Sequence, residues 1–184
     1  MLCVDEKPSI QALERKTGYV HTSSSKIVRG LQSTYKRHGT INLFAALDVA
    51  TGIIQSKTTV EKKRPDFQSF MNEIVATVPD DKEIHVILDN YCTHKKNQKW
   101  LTEHPNVHFH FTPTSASWLN QVEIWFGILG RKTLSGASFT STEMLVQAIE
   151  SFVARHNETA SPFVWRKREV RGAQLRNTIA NLCN

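Results

Sequence analysis

Three carboxylates stand where they could hold metal ions. Asp5 and Asp89 each end a short apolar run, residues 1–5 and 84–89, that we interpret as a strand. In open sheets with parallel strands, ligands bind at the edge formed by the C-terminal strand ends. If these strands are parallel neighbours, the two carboxylates lie side by side and repel, so that one must take up a proton. A divalent cation removes that repulsion, and hard oxygen ligands suit Mg²⁺ or Mn²⁺.

A third acid, Glu123, lies in a segment with the pattern of an amphipathic helix. The apolar row of this helix consists of Trp118, Val122, Trp125 and Leu129, widened by Leu119 and Phe126. Glu123 lies beside the row, so the helix can pack on the sheet while Glu123 points along its edge toward the other acids. Three carboxylates in this arrangement could hold two metal ions ~3.5–4 Å apart, as in sites for in-line attack on phosphodiesters.

Each of these residues also has a more ordinary explanation. A single Asp after a strand most often forms a turn or caps a helix, and we assign Asp48 to a hairpin turn. Glu6 is expected on the exposed face of the strand, opposite Asp5. His108 and His110 form an H-x-H pair, but without an accompanying Cys pair they indicate the solvent face of a strand more than a zinc site.

The surrounding pattern predicts an α/β fold. Residues 41–49 alternate as a half-buried strand, and residues 53–60 return as its hairpin partner after a tight turn. Residues 9–39 are polar and basic, and we expect a long exposed excursion there. The order of the elements predicts a mixed five-stranded sheet covered by helices. Further strands are expected at 84–88 and 107–111, and helices after Pro65, at 94–103, from Ser115 or Ser117 onward, and after a capping box at Thr140–Glu143.

Composition places the chain among ordinary globular proteins. Its 184 residues suffice for one domain with a sizeable core, and no apolar run approaches the ~20 residues of a membrane span. Three distant cysteines suggest neither a disulfide framework nor a zinc knuckle, so a reduced cytoplasmic protein is expected. The net charge is +6, and residues 162–184 carry five basic side chains and one acid, which favours a polyanionic partner. We divide the chain into a catalytic domain, 1–165, and a basic helical tail, 166–184.

Two long motifs resemble a known family. They are Leu88-Asp89-Asn90-Tyr91 with Thr93-His94-Lys95, and Ser117-Trp118-Leu119-Asn120-Gln121-Val122-Glu123 with Trp125-Phe126. The sequence is similar to the DDE transposases of bacterial insertion sequences related to the mariner superfamily, over nearly the whole chain. This resemblance implies a ribonuclease H-like fold in which Asp5, Asp89 and Glu123 are the catalytic, metal-binding acids. Two Mg²⁺ ions, or Mn²⁺, are the implied cofactors.

The resemblance also implies a reaction and its partners. A metal-activated water hydrolyses a phosphodiester at a transposon end, and the freed 3′-hydroxyl then attacks target DNA. Double-stranded DNA is the implied substrate, bound by a homodimer near the bacterial nucleoid. The residues expected to contact DNA or to support the acids are Asn90, His94, Lys95, Asn120, Gln121, Arg131 and Lys132.

One feature departs from the family. Family members carry N-terminal helix-turn-helix modules that read the transposon ends, whereas Met1 here lies four residues before Asp5. We therefore expect an upstream helix-turn-helix polypeptide of the same element to supply this function. Two alternatives stay open: a non-catalytic remnant that binds DNA or regulates an intact copy, and a stand-alone ribonuclease H-like nuclease.

Overall fold

A five-stranded sheet lies at the centre of the computed structural model, which describes residues 1–21, 27–91, 93–114 and 116–164. The strands are β1 (Leu2–His21), β2 (Ile27–Asp48), β3 (Ile54–Thr59), β4 (Ile84–Leu88) and β5 (Val107–Phe111). They follow the order β3-β2-β1-β4-β5. β2 is antiparallel to β1 and β3, whereas β4 is parallel to both β1 and β5. The predicted mixed sheet is confirmed, and so is the parallel pairing of β1 with β4.

Helices cover both faces of this sheet. They are α1 (Arg64–Val75), α2 (Gln98–Glu103), α3 (Val122–Leu129), which continues into a π-helical turn at Gly130–Leu134, and α4 (Thr142–Glu158). The first two pack on one face around Phe67, Phe70 and Trp100, and the last two pack on the other around Trp125. Because β1 and β2 lie between the two layers, side chains of both alternations are buried, as in Leu43 and Phe44.

The predicted exposed excursion at residues 9–39 is wrong in its secondary structure. β1 and β2 continue as an antiparallel ribbon that stays paired as far as His21 and Ile27. Three register shifts interrupt the ribbon, and Ser9 takes a positive φ of 54° at the first of them. Antiparallel pairing satisfies the backbone N–H and C=O groups of both arms, and it does so without apolar alternation, which is why the sequence pattern gave no sign of it.

The helix around Glu123 begins later than predicted. Ser117–Leu119 form a 3₁₀ turn, and α3 starts only at Val122 without a side-chain cap from Gln121. Trp118 is therefore 63% exposed instead of lying in the apolar row of the helix. The predicted helix at 94–103 is similarly reduced to its second half, Gln98–Glu103.

Two turn assignments can be compared with the structure. Asp48 closes the β2–β3 hairpin as predicted, because its carboxylate accepts hydrogen bonds from the Ala50 amide (2.9 Å) and the Thr51 hydroxyl (3.0 Å). The capping box was wrongly placed: Ser141, not Thr140, caps α4 by accepting a hydrogen bond from the Met144 amide at 3.2 Å.

Within the described residues, no helix is long and apolar enough to cross a membrane. The predicted helical tail, 166–184, lies outside the described residues.

Candidate active site

Asp5 lies on the central strand at the point where the β1–β4 pairing ends. The last pair is Cys3 with Ile87, so continuing the register by two residues places Asp5 opposite Asp89. Asp5 is only 4% exposed. Its Oδ1 accepts a hydrogen bond from the Glu6 amide at 2.8 Å, and its Oδ2 lies 3.4 Å from Nδ2 of Asn120. Since that amide also donates to the Val4 carbonyl at 2.9 Å, it fastens the start of α3 to β1 beside Asp5.

Asp89 directly follows β4 and is half-buried. Its Oδ1 accepts two hydrogen bonds, from the Tyr91 amide and from Nδ1 of His94, each at 2.8 Å. Among the described residues, no donor contacts Oδ2. The carboxylate is thus held by one oxygen and leaves the other for a ligand.

Glu123 occupies the first turn of α3, where unpaired amides favour a negative charge. Partial burial raises the pKa of the Glu123 carboxyl; the charge of Lys7 opposes this rise, and the charges of Asp89 and Glu6 add to it. These mutual effects place Glu123 within electrostatic reach of the other acids, although its side chain is exposed.

The adjacent acids Asp5 and Asp89 have pKa values that shift in opposite directions. Burial, together with the negative charge of Asp89, raises the pKa of Asp5 to about 7. The hydrogen bond from His94 lowers the pKa of Asp89. The pair therefore combines one carboxylate that is stabilised as an anion with a neighbour whose protonated form is favoured.

Among the residues that the structure describes, possible ligand atoms of Asp5, Glu6 and His94 lie within 4.8 Å of one another. His94 is nevertheless a poor metal ligand here. Burial alone would lower its pKa, but hydrogen bonding to Asp89 and Glu6 outweighs burial and raises it to about 9. Each ring nitrogen faces a carboxylate oxygen, Nδ1 that of Asp89 at 2.8 Å and Nε2 that of Glu6 at 3.0 Å. Carboxylate oxygens of Asp5 and Asp89 are the donors that suit a hard divalent cation, and the residues of the site fit such an ion.

The other predicted residues lie either near β1 and the loop after β4 or beyond the far end of α3. Asn120 and Gln121 are buried beside β1, and Asn90 and Lys95 lie exposed on the loop after β4, where the Asn90 amide donates to the Thr112 carbonyl. His94 lies in this loop too and is fully buried. Arg131 and Lys132 lie past the opposite end of α3 from Glu123. At 1.5 Å rise per residue that is on the order of 12 Å along the helix, so the structure does not bring these two to the acids.

The exposed position predicted for Glu6 is wrong. The Glu6 side chain is 5% exposed, and its Oε2 lies 3.0 Å from Nε2 of His94. β1 is covered on both faces, so the residue that alternates with Asp5 is buried under α1 instead of facing solvent. Recognising β1 as the central strand, covered by helices on both sides, would have revealed this from the sequence.

Fold and site together define an α/β domain with acidic residues gathered at the C-terminal edge of parallel strands. The profile of the DDE superfamily endonuclease family matches residues 1–146. The insertion element IS630 uncharacterized 39 kDa protein of Shigella sonnei is 30% identical over 123 residues, which are 66% of this chain and 35% of that protein. The chain therefore belongs to the DDE superfamily endonucleases, and its sheet has the ribonuclease H-like strand order. It spans about a third of the length of its curated relative.

Two solved structures are also similar. One is the simian T-cell lymphotropic virus intasome in complex with PP2A regulatory subunit B56 gamma, with a TM-score of 0.48 at 11% identity, covering 88% of this chain and 59% of that chain. The other is the catalytic core domain of BIV integrase, with a TM-score of 0.49 at 10% identity, covering 92% of this chain and 97% of that chain.

Proposed function

We propose that this domain cleaves DNA phosphodiesters at a site formed by Asp5, Asp89 and Glu123 and joins the freed 3′-hydroxyl to target DNA, as in transposition. The observation that supports this most directly is the position of Asp5 and Asp89, which lie opposite each other two residues beyond the last β1–β4 pair. Adjacent acids whose pKa values shift in opposite directions are typical of sites that bind a ligand or perform catalysis.

Two Mg²⁺ or Mn²⁺ ions are the cofactors that we propose, held by oxygens of Asp5, Asp89 and Glu123. When bound, such ions activate a water or hydroxyl nucleophile and neutralise charge on the leaving oxygen. The chain contributes orientation. Asn120 and the Glu6 amide hold Asp5, whereas the Tyr91 amide and His94 hold Asp89. The rigid sheet edge thereby presents the remaining oxygens in fixed directions.

The substrate in this proposal is double-stranded DNA, both transposon ends and target. Asn90 and Lys95, exposed on the loop after β4, are the groups that we assign to DNA contact, and the buried Gln121 is assigned to support of the acids. Arg131 and Lys132, beyond the far end of α3, are assigned to more distant backbone contacts. A homodimer on the DNA, a helix-turn-helix polypeptide that reads the transposon ends, and a cytoplasmic location at the nucleoid complete the proposal.

Nicking of supercoiled plasmid in the presence of Mg²⁺ or Mn²⁺ tests the chemistry without knowledge of the transposon ends. We expect Asp5→Asn, Asp89→Asn and Glu123→Gln each to reduce the rate at least 10²-fold, because each removes a proposed ion ligand. Asp48→Asn is the matched control, since that acid also ends a strand but serves a turn. Cleavage at the wild-type rate by Asp89→Asn would refute the assignment.

The nature of the products separates the alternatives. Extendable 3′-hydroxyl ends and their transfer to a second duplex support the transposase reaction. Preferential cleavage of RNA–DNA hybrids without transfer points to a ribonuclease H-like nuclease. DNA binding without metal-dependent cleavage, even after a helix-turn-helix polypeptide is added, points to a non-catalytic remnant.

A further inference from the structure

Glu6 is a buried acid for which the proposed chemistry has no use. It follows Asp5 on β1 and points to the opposite face of the sheet, under α1. Its side chain is 5% exposed, and Nε2 of His94 lies 3.0 Å from Oε2. Burying a carboxylate is costly unless it is paired, so this contact is the one that makes its position tenable.

His94 connects this carboxylate to the candidate site. Its side chain is fully buried, with Nε2 facing Glu6 and Nδ1 donating to Oδ1 of Asp89 at 2.8 Å. The ring is also packed against Phe67 of α1, with the ring centroids 4.9 Å apart. Nδ1 is held by a hydrogen bond, whereas Nε2 and Oε2 of Glu6 are in ion-pair contact without hydrogen-bond geometry, so the ring faces a carboxylate at each nitrogen.

The loop that carries His94 is itself anchored. Nδ2 of Asn97 donates to the carbonyls of Thr93 and His94, each at 2.9 Å, and Oδ1 of Asn97 accepts from Nε2 of Gln68 on α1 at 2.9 Å. These hydrogen bonds fix the position of the His94 ring. Its hydrogen bond to Oδ1 of Asp89 therefore constrains the direction in which Oδ2 of Asp89 points.

We propose that Glu6 and His94 are positioning residues for Asp89: Glu6 orients the His94 ring, and the ring orients the Asp89 carboxylate for its cation. This inference rests on the proposed metal-dependent function. Partners that orient a metal ligand in this way typically change metal affinity or activity by about 10–100-fold when they are removed.

Two substitutions of His94 separate orientation from charge. His94→Asn places an amide N–H near the position of Nδ1 and keeps a donor for Asp89, whereas His94→Gln places its donor toward Glu6 and leaves Asp89 without one. If the ring mattered only as a positive charge near the cation, both variants would bind Mn²⁺ more tightly than the wild type. Positioning predicts the opposite for His94→Gln, with at least about 10-fold weaker binding, and a smaller loss for His94→Asn.

Glu6→Gln is tested alone and in the His94→Asn background. Because Glu6 acts through the ring, its substitution weakens Mn²⁺ binding in the wild type and has little further effect when the ring is absent. A direct effect of the Glu6 charge on the cation would instead be additive. Glu103→Gln and His108→Gln, exposed residues of the same types, are the controls.

The measurement is Mn²⁺ titration of metal-free protein by calorimetry, with thermal unfolding in EDTA to confirm that each variant is folded. The positioning role is overturned if Glu6→Gln and His94→Gln both bind Mn²⁺ as tightly as the wild type, or if the effects of Glu6→Gln and His94→Asn are additive. In either case, Mn²⁺ binding by the wild type would still support the metal site. Wild-type protein that is folded and binds no Mn²⁺ overturns the metal site and this inference together. If Glu6→Gln fails to fold, the difference in Mn²⁺ affinity between His94→Asn and His94→Gln still tests whether the ring positions Asp89.

Discussion

At the scale of single residues, the site combines one acid that is stabilised as an anion with one that is not. Asp89 receives two hydrogen bonds on the same oxygen, one of them from a buried histidine. Asp5 has less support and is far more buried, and its pKa rises from 3.8 to about 7. The folded chain without metal therefore carries a local destabilisation that a cation would relieve.

This destabilisation gives a prediction for stability and pH. The raised pKa means that folded Asp5 holds a proton between about pH 4 and 7 that the unfolded chain has lost, so the metal-free protein loses stability as pH rises through this range. Asp5→Asn removes the titration. In EDTA at pH 8 we expect the free energy of unfolding to increase by roughly 1–3 kcal/mol, with a smaller gain at pH 5.

Urea unfolding at the two pH values measures this effect. Asp48→Asn, at an acid of the hairpin turn, should show no such pH-dependent gain. Saturating Mg²⁺ should stabilise the wild type and not Asp5→Asn. A variant that is equally or less stable than the wild type at pH 8 would contradict the prediction.

At the scale of elements, the segment before α3 shows what sequence patterns can and cannot predict. Trp118 and Trp125 have the spacing of one helical row, yet Trp125 is completely buried against Phe152 and Trp118 is 63% exposed. Asn120 turns inward to the Val4 carbonyl, and the chain changes from a 3₁₀ turn to an α-helix around it. The helical periodicity that the sequence suggested is therefore interrupted by a hydrogen bond between residues 116 positions apart.

The two tryptophans make a matched pair for mutation. Trp125→Ala leaves a large cavity between α3 and α4 and is expected to cost about 3–5 kcal/mol of unfolding free energy. Trp118→Ala removes a mostly exposed side chain and is expected to cost less than about 1 kcal/mol. Chemical denaturation of both variants checks the difference. Equal costs would mean that Trp118 is packed as the sequence pattern predicted.

Where local pattern and tertiary environment agreed, the elements were predictable. β4 and the hairpin of β2 with β3 have apolar runs and turn residues that match their burial. α1 contains Pro65 in its first turn, as expected for a helix start. The ribbon formed by residues 9–21 and 27–39 and the burial of Glu6 were not predictable in the same way. Both depend on pairing and packing partners distant in the sequence, which leave no periodic trace in their own residues.

At the scale of the whole molecule, β1 joins the two halves of the core. Cys3 packs in the core layer of α3 and α4, and Val4 packs in the layer of α1 and α2; Asp5 and Glu6 continue this alternation along β1. Two adjacent residues of β1, Asp5 and Glu6, thus connect the acids on the two sides of the sheet. This arrangement explains why acids 84 and 34 residues apart, Asp5 with Asp89 and Asp89 with Glu123, come within electrostatic reach of one another.

The charge of the whole chain gives the last prediction. Of the net +6, a large part lies in residues 166–184, where Arg166, Lys167 and Arg168 follow one another. If this tail contacts DNA backbone, replacing these three residues by Gln should reduce the slope of log Kd for a random duplex against log salt by roughly 2–3, since each phosphate contact contributes about 0.9. Lys82→Gln with Lys99→Gln, exposed lysines outside the tail, is the control. Fluorescence anisotropy at several salt concentrations measures both, and Mn²⁺ affinity should stay unchanged because the tail contributes no proposed ion ligand. A slope equal to that of the control would assign the DNA contacts to the folded domain alone.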